Sequence, residues 1–350
     1  MFRWVVLIWG MLVLLVVMPS AGWIVWTEHN PDQERDIRVM VQEHLEQWFP
    51  EAMSLPPGQV GFIPRGGASA DGIPDVVLIH GLDEPGGIWD DLLPVLTAAG
   101  VTAWEFRYPN DQAVDHSADL LATHWADLDG TAPVVLIGHS MGGLVIRDFV
   151  SRWRHPVAAT PQVAGPAVAG VILVGTPNQG SEWARLRAWL EVREWLADIP
   201  QGQFSLWAGL RDGTGAAKID LRPDSAFLET LNQRPWPSVM PVQVIGGQIA
   251  EPTPAMQRSL DMLSEELGIE DLGERVEAWW STTGESLGDG VVPVASLAFK
   301  GASEPVIVTA SHRGLLVRQP FSDQHPPAIS LIVHQLQVWG TGGMAPLEIP

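Results

Sequence analysis

The chain has 350 residues, 46% of them hydrophobic, which is enough for a large domain with a sizeable core. Acidic residues outnumber basic ones by 41 to 20, so the formal charge at pH 7 is −21. A protein this negative repels phosphate backbones, and we therefore expect no nucleic-acid partner. The sequence contains no cysteine, which excludes disulfides, thiolate nucleophiles and sulfur-ligated metal sites.

The N-terminal segment carries the clearest topological signal. No charged residue occurs between Trp4 and Trp26, and a helix of that length rises by roughly 35 Å, enough to cross a hydrocarbon core of roughly 30 Å. Terminal tryptophans and Arg3 favour a membrane anchor over residues 1–27, with the rest of the chain outside the cytoplasm, in the periplasm. A cleaved signal peptide is the alternative, since residues 20–22 are small, and the protein would then be secreted.

Residues 28–74 are predicted to link this segment to the main domain. Between Asp32 and Phe49, apolar residues recur at helical spacing among charged ones: Ile37, Met40, Val41, Leu45 and Trp48. This pattern predicts an amphipathic helix that packs on the domain. The stretch 56–74 is rich in proline and glycine and is predicted as a loop. The main domain is then expected over 75–342, with a tail at 343–350.

From residue 75 onward, short apolar runs alternate with helix-like segments, which is typical of a mostly parallel sheet with helices on both faces. The predicted strands are 76–80, 103–108, 134–138, 171–175, 242–246 and 306–309. The predicted helices are 87–99, 113–128, 141–153 and 328–339. The gaps at 178–241 and 248–288 are too long for simple crossovers. Both follow the C-terminal end of a strand, where α/β proteins bind ligands, so we expect cap or lid elements there.

One serine lies in a setting that is typical of a nucleophile. An apolar strand enters an apolar helix through the Gly-x-Ser-x-Gly turn at residues 138–142, with Ser140 at its centre. Such a turn exposes the serine hydroxyl at a sharp corner, where side chains at the two glycine positions would collide. We therefore predict that Ser140 is a catalytic nucleophile.

A serine hydroxyl needs a histidine to accept its proton and a carboxylate to orient that histidine. After this type of turn the partners are expected in the order acid, then histidine, on loops that follow later strands. His312 comes just after the strand predicted at 306–309 and is the favoured base. His325, in a proline-rich loop, and His334, in the last helix, are the alternatives.

The favoured acid is Asp289, because glycines on both sides form a turn that can present its carboxylate inward. It also lies between the strand predicted at 242–246 and His312, as the chain order requires. Other carboxylates satisfy the order alone but lie in a charged, helix-like stretch that is typical of a solvated face. These are Asp261, Glu265, Glu266, Glu270 and Asp271.

The oxyanion of an acyl-transfer intermediate needs two N–H donors. Met141, directly after the serine, is predicted to supply one through its backbone. Leu82 is predicted to supply the other, because His80 and Gly81 end an apolar strand at the place where the second donor loop should begin. His80 is interpreted as a positioning residue that bonds to the backbone.

Four segments together resemble bacterial lipases and the lipase-like GPI-inositol deacylases: 80–82, 138–143, 175–181 and 288–293. The segment 221–232 also looks like the one that precedes the later strands of those lipases. The resemblance runs from about residue 76 to residue 339. It implies the α/β-hydrolase fold, no cofactor, and a triad of Ser140, Asp289 and His312.

The sequence thus predicts a serine ester hydrolase that acts on small-molecule or lipid acyl esters through an acyl-enzyme. An acyltransferase or thioesterase with the same triad is one alternative, and a membrane-tethered scaffold with the hydrolase fold but without the chemistry is another. Apolar residues in the first insertion fit either a lid over an acyl pocket or ordinary core packing. They are Trp183, Leu186, Trp189, Leu190, Trp195 and Trp207. Neither a cofactor nor a metal is expected.

Overall fold

The computed structural model of the protein describes residues 22–23, 26–56, 58–67, 73–82, 84, 87–128, 130, 132–184, 210–249, 258, 262, 287–319 and 324–341. The predicted anchor lies almost wholly outside these residues, and so do the predicted tail at 343–350 and most of the insertion at 248–288. Within the described ranges, no helix is both long enough and apolar enough to cross a bilayer.

A seven-stranded sheet forms the centre of the domain. Its strands are β1 (Gly61–Pro64), β2 (Val76–Ile79), β3 (Ala103–Arg107), β4 (Val134–His139), β5 (Val168–Val174), β6 (Val242–Gln248) and β7 (Val306–Thr309). They lie side by side in the order β1-β3-β2-β4-β5-β6-β7. β1 is antiparallel to β3, and all the other pairs are parallel. The predicted mostly parallel sheet is confirmed, and β4 lies at its centre.

Helices cover both faces of this sheet. They are α1 (Pro31–Trp48), α2 (Pro50–Met53), α3 (Leu92–Ala98), α4 (Val114–Trp125), α5 (Met141–Asp148), α6 (Ala216–Asp220), α7 (Ala226–Gln233) and α8 (Pro327–Val338). Successive residues of β4 enter different hydrophobic clusters: Leu136 packs with α4 and α5, and Val135 packs with α3 and α8. Because both faces are buried, the central strands consist of continuous apolar runs.

The prediction of a loop over 56–74 is wrong at β1, which forms one edge of the sheet. β1 has only four residues and includes a glycine and a proline, which are turn signals in a sequence. An edge strand tolerates proline because one side of its backbone is left unpaired. The strand is fixed by its antiparallel register with β3 and by Phe62, whose ring lies 5.1 Å from that of Phe106.

Helix α1 does pack on the domain, but the side chains that it buries are polar or charged, and of its predicted apolar residues Ile37 and Leu45 are only half-buried. Glu34 and Gln42 are buried, whereas Met40, Val41 and Trp48 are 49%, 41% and 65% exposed. The physical reason is the surface that α1 meets. That surface, at α6 and the residues just after it, contains the buried charged residues Lys218, Asp220 and Arg222.

Arg35 of α1 is central to this contact. Its Nε donates to Asp220 Oδ1 at 2.5 Å, and its Nη2 donates to Asp115 Oδ1 at 2.8 Å. Burial by itself would lower the pKa of Arg35, but attraction to Asp220 and Asp115 outweighs it and raises that pKa. Glu34 lies 3.4 Å from Arg222 in a second buried ion pair. The N-terminal helix is thus held to the first insertion by ion pairs.

Replacing Arg35 with methionine should destabilise the protein, because the fully buried Asp220 carboxylate would lose its charged partner. We expect the free energy of unfolding to fall by about 3–5 kcal/mol in urea denaturation. Asp127→Asn is the control, since it weakens a more exposed hydrogen bond, the one with His124, and should cost about 1 kcal/mol or less. Equal losses in the two variants would contradict a buried ion pair at Arg35.

Candidate active site

Ser140 lies at the sharp turn between β4 and α5. Its backbone has φ 54° and ψ −128°, a conformation that non-glycine residues rarely adopt and that costs about 1–3 kcal/mol. The turn is held by the Ser140 N–H, which donates to the Val174 carbonyl at 2.9 Å, and by the Gly143 N–H, which donates to the Ser140 carbonyl at 3.1 Å. The sequence pattern predicted this strained corner, and the backbone has it.

The glycines on either side of Ser140 are needed for space. A Cβ atom at Gly138 would lie 2.7 Å from the Gly143 Cα. One at Gly142 would collide with the carbonyl of Ile79, at the end of β2. Neither glycine has a positive φ. The close approach of the backbones, rather than an unusual backbone conformation, therefore explains why glycine is required at these two positions. Helix α5 can begin this close to β2 and β4 only because side chains are absent there.

Asp289 and His312 are hydrogen-bonded to each other. His312 Nδ1 lies 2.7 Å from Asp289 Oδ2, and the His312 N–H donates to the Asp289 carbonyl at 2.9 Å. The other carboxylate oxygen, Oδ1, accepts from the N–H groups of Val291 and Val292 at 2.9 and 2.7 Å. Both oxygens of this buried carboxylate are therefore engaged, and His312 Nε2 is the nitrogen left to exchange a proton.

The loop of Asp289 closes the base of the second insertion. Gly288 and Gly290 both have positive φ, which the turn on either side of the acid requires. The Ile249 N–H, at the start of the insertion, donates to the Gly288 carbonyl at 2.7 Å. Gly247 leaves room for the acid, because a Cβ atom there would lie 2.8 Å from the Asp289 Cβ.

Ser140 and His312 line the same cavity, of about 160 Å³. The His312 ring lies against Gly175 at the end of β5, where an added Cβ atom would be 3.1 Å from the imidazole. Apolar side chains form much of the remaining wall: Leu82, Pro177, Trp183, Ala184, Leu221 and Val291. The arrangement can supply a hydroxyl, a base and an apolar surface to one small molecule.

The two predicted oxyanion donors lie next to Ser140. Met141 is the first residue of α5, and an N–H in the first turn of a helix has no acceptor within the helix. Leu82 lines the cavity, one residue after Gly81, where an added Cβ atom would lie 2.8 Å from the Ser140 Cβ.

His80 fixes the backbone that leads to Leu82. Its Nδ1 lies 3.0 Å from the Gly81 carbonyl, and its own carbonyl accepts from the Tyr108 hydroxyl at 2.6 Å. Burial lowers the pKa of His80 and raises that of Tyr108, so the ring stays neutral and the hydroxyl stays a donor. These contacts agree with the positioning role predicted for His80.

The two competing histidines do not lie at this cavity. His325 and His334 are exposed, and neither is among the described residues that line it. The five rival carboxylates between 261 and 271 lie outside the described residues, as do five of the six apolar residues noted in the first insertion. The sixth, Trp183, is part of the cavity wall.

A sequence profile described as the alpha/beta hydrolase family matches residues 76–279, more than half of the chain. The chain belongs to the α/β hydrolase family. The matched range includes Leu82, Ser140 and Met141 and ends before Asp289 and His312. The strained serine turn and the sheet order described above are thus features of an α/β hydrolase.

Solved structures agree on this fold. The chain is similar to a Bacillus licheniformis lipase in its mature form, with 18% identity and a TM-score of 0.50 over 79% of this chain and 97% of the lipase. The propeptide form of that lipase gives 18% identity and a TM-score of 0.50 over 83% of this chain and 55% of the other. No curated protein matches the sequence.

Sequence reasoning missed an ion pair at the edge of this hydrolase's cavity. Arg313 Nη1 donates to both carboxylate oxygens of Glu84, at 2.9 Å each, and both residues line the cavity. Glu84 follows Leu82 by two positions, and Arg313 directly follows His312. The pair therefore joins the loop of the predicted oxyanion donor to the loop of the predicted base. In the sequence, the indication of this pair is that Glu84 lies close to Leu82 and Arg313 lies next to His312.

Sequence reasoning also missed His139, which packs against the predicted base. The ring centroids of His139 and His312 are 4.8 Å apart, and His139 Nε2 lies 3.3 Å from the His312 carbonyl. Since a carbonyl can only accept, Nε2 is the protonated nitrogen in this contact. Burial, together with charge on His312, lowers the pKa of His139 well below its ordinary value. His139 is thus a neutral ring beside His312.

The lowered pKa of His139 makes stability depend on pH. Below about pH 6.5 the unfolded chain binds a proton that folded His139 does not, so the free energy of unfolding should fall as the pH drops from 7.5 to 5.5. We expect His139→Asn to reduce this slope by up to about 1.4 kcal/mol per pH unit, measured by urea denaturation. His334→Asn, at an exposed position of α8, controls for loss of an imidazole. Identical slopes in wild type and His139→Asn would contradict a buried neutral ring.

Proposed function

We propose that this α/β hydrolase is a serine ester hydrolase that cleaves acyl esters through an acyl-enzyme on Ser140. One observation carries the proposal: the strained Ser140 and His312, whose Nδ1 is paired with Asp289, line the same cavity, and much of its wall is apolar. A strained serine that shares a cavity with a histidine oriented by a buried carboxylate is the arrangement expected to activate a hydroxyl.

In the proposed reaction, His312 Nε2 accepts the proton of the Ser140 hydroxyl as Oγ bonds to the ester carbonyl carbon. The N–H groups of Leu82 and Met141 donate to the oxyanion of the tetrahedral intermediate. Collapse breaks the bond to the alcohol oxygen, which takes the proton from His312. Water then attacks the acyl carbon while His312 accepts its proton; the bond from that carbon to Ser140 Oγ breaks, Oγ takes the proton back from His312, and the carboxylic acid is released. Asp289 orients His312 and stabilises its charged form in both steps.

The substrate class follows from the cavity wall. Pro177, Trp183, Ala184 and Leu221 provide an apolar surface beside Ser140, which supports an ester with an apolar acyl group. The same acyl-enzyme can pass its acyl group to an alcohol or a thiol. Product analysis with added alcohol and thiol acceptors separates this alternative from hydrolysis.

We also propose that the protein is held in a membrane by the uncharged segment between Trp4 and Trp26, with the hydrolase domain in the periplasm. The length of that segment, its terminal tryptophans and Arg3 support this location. Cleavage near residues 20–22 would instead release a secreted enzyme. Mass determination of the N-terminus in purified protein distinguishes the two.

Ser140→Ala should abolish both labelling by a fluorophosphonate probe and turnover of short-chain p-nitrophenyl esters. We expect kcat/KM to fall by about 10⁴-fold or more, because the nucleophile itself is lost. Ser330→Ala is the matched control, since that hydroxyl lies on α8 and donates to the Pro327 carbonyl. Wild-type protein that neither labels nor turns over, or an active Ser140→Ala variant, would overturn the proposal and favour a non-catalytic scaffold.

The Glu84–Arg313 pair should matter for turnover. Arg313→Gln leaves the Glu84 carboxylate unpaired at the cavity, where it opposes the developing oxyanion, and we expect kcat to fall by about 10-fold. Removing both charges, in Glu84→Gln with Arg313→Gln, should restore part of the loss. Arg318→Gln is the control on the same segment. Steady-state kinetics in which the double variant is no better than Arg313→Gln would contradict this electrostatic role.

A further inference from the structure

One side of helix α1 is an exposed apolar surface. Met40, Val41 and Trp48 of α1 are large hydrophobic residues that are each more than 40% exposed. The side that contacts the domain is formed by Glu34, Arg35, Arg38 and Gln42, and Val41 lies at its border. Clustered exposed apolar side chains mark an interaction surface.

The apolar side is not needed to hold α1 in place. Arg35 pairs with Asp220, Arg38 Nη1 donates to the Thr214 carbonyl, and the Thr214 hydroxyl donates to the Arg38 carbonyl at 2.8 Å. These bonds fix the helix through its charged side. The apolar side is therefore left for a partner other than the described part of the domain.

The chain that precedes α1 indicates the partner. Only residues 27–30 separate Trp26, at the end of the uncharged segment, from Pro31, at the start of α1. Four residues span at most about 14 Å, and the Asn30 Nδ2 donates to the Trp26 carbonyl at 2.8 Å. The rings of Trp23 and Trp26 lie 5.2 Å apart. A membrane-inserted segment would thus place the start of α1 at the bilayer surface.

We infer that the apolar side of α1 lies in the interfacial layer of that bilayer, with Met40, Val41 and Trp48 in contact with lipid. Amphipathic helices bind membranes in this way, and tryptophan is enriched at this depth. The inference rests on the membrane location proposed above. It adds a second, peripheral contact that holds the hydrolase domain against the surface.

The charges of α1 indicate which lipid headgroups this surface can contact. Its two arginines, Arg35 and Arg38, are both engaged with the domain or with neighbouring side chains, while Asp36 and Glu43 are exposed. Helices that bind anionic lipids need free basic residues. The contact is therefore apolar and fits a zwitterionic surface such as phosphatidylcholine.

The residue to which α1 is bound is next in sequence to a residue of the candidate active site. Arg35 binds Asp220, and the next residue, Leu221, lines the cavity of Ser140. The ion pairs Arg35–Asp220 and Glu34–Arg222 thus connect the proposed lipid-contacting helix to the residues on either side of Leu221.

Site-directed spin labelling tests the inference directly, because the chain contains no native cysteine. Val41→Cys and Trp48→Cys would each be labelled in the full-length protein, reconstituted in phosphatidylcholine vesicles. Val338→Cys is the matched control, at a 62% exposed position of another helix. Collision with oxygen, which concentrates in lipid, and with a water-soluble nickel chelate would be measured by power-saturation EPR. We expect an oxygen-to-nickel ratio at Val41 and Trp48 at least about threefold above that at Val338.

Two other results would overturn the inference. High accessibility to both reagents at Val41 and Trp48 means that this side faces water, and low accessibility to both means that protein, such as a second copy, covers it. Flotation of the same vesicles tests the membrane location separately. Protein that does not float contradicts the anchor, whereas protein that floats with Val41 in water contradicts only the contact of α1.

Discussion

The close approach of three backbone segments around Ser140 is the constraint on which the candidate site depends. The end of β2, the end of β4 and the first turn of α5 come so near one another that Gly138 and Gly142 have no room for a Cβ atom. The parallel sheet supplies this approach, because its central strands end at the same edge. The strained backbone of Ser140 is then held by these neighbours and by its bonds to Val174 and Gly143, which is the condition for such strain to persist.

The other site residues reach Ser140 through separate elements. His312 follows β7 and lies against Gly175 at the end of β5, and Asp289 is held by the N–H groups of its own loop. Parallel strands bring these loops to one edge even though Ser140 and His312 are far apart in the chain. The order of the strands therefore brings the candidate site residues together, although each is carried by a different loop.

The strands and the candidate triad could be predicted from the sequence because their causes are local. A strand buried on both faces is a continuous apolar run, and a serine turn needs glycines at fixed spacing. The edge strand β1 could not be predicted in this way, since its glycine and proline are turn signals and only pairing with β3 makes it a strand.

The contacts of α1 and Glu84 depend on distant residues. Arg35 meets Asp220 across 185 positions, and Glu84 meets Arg313 across 229. The apolar periodicity of α1 correctly predicted a helix, but not which side would meet the domain, because that depends on charged residues buried in the first insertion. Ion pairs between such distant residues produce no periodic pattern in either segment, so they cannot be predicted from one segment alone.

A hydrogen bond joins the two ends of the second insertion. The Ile249 N–H and the Gly288 carbonyl join its two ends, and Asp289 begins its own network directly beyond them. The entropy cost of a loop grows only slowly with length once its ends are fixed. Segments of very different size and composition can therefore be exchanged between residues 249 and 288 without moving the acid. The contacts of Asp289 with His312, Val291 and Val292 are thus independent of the length of the chain between these two ends.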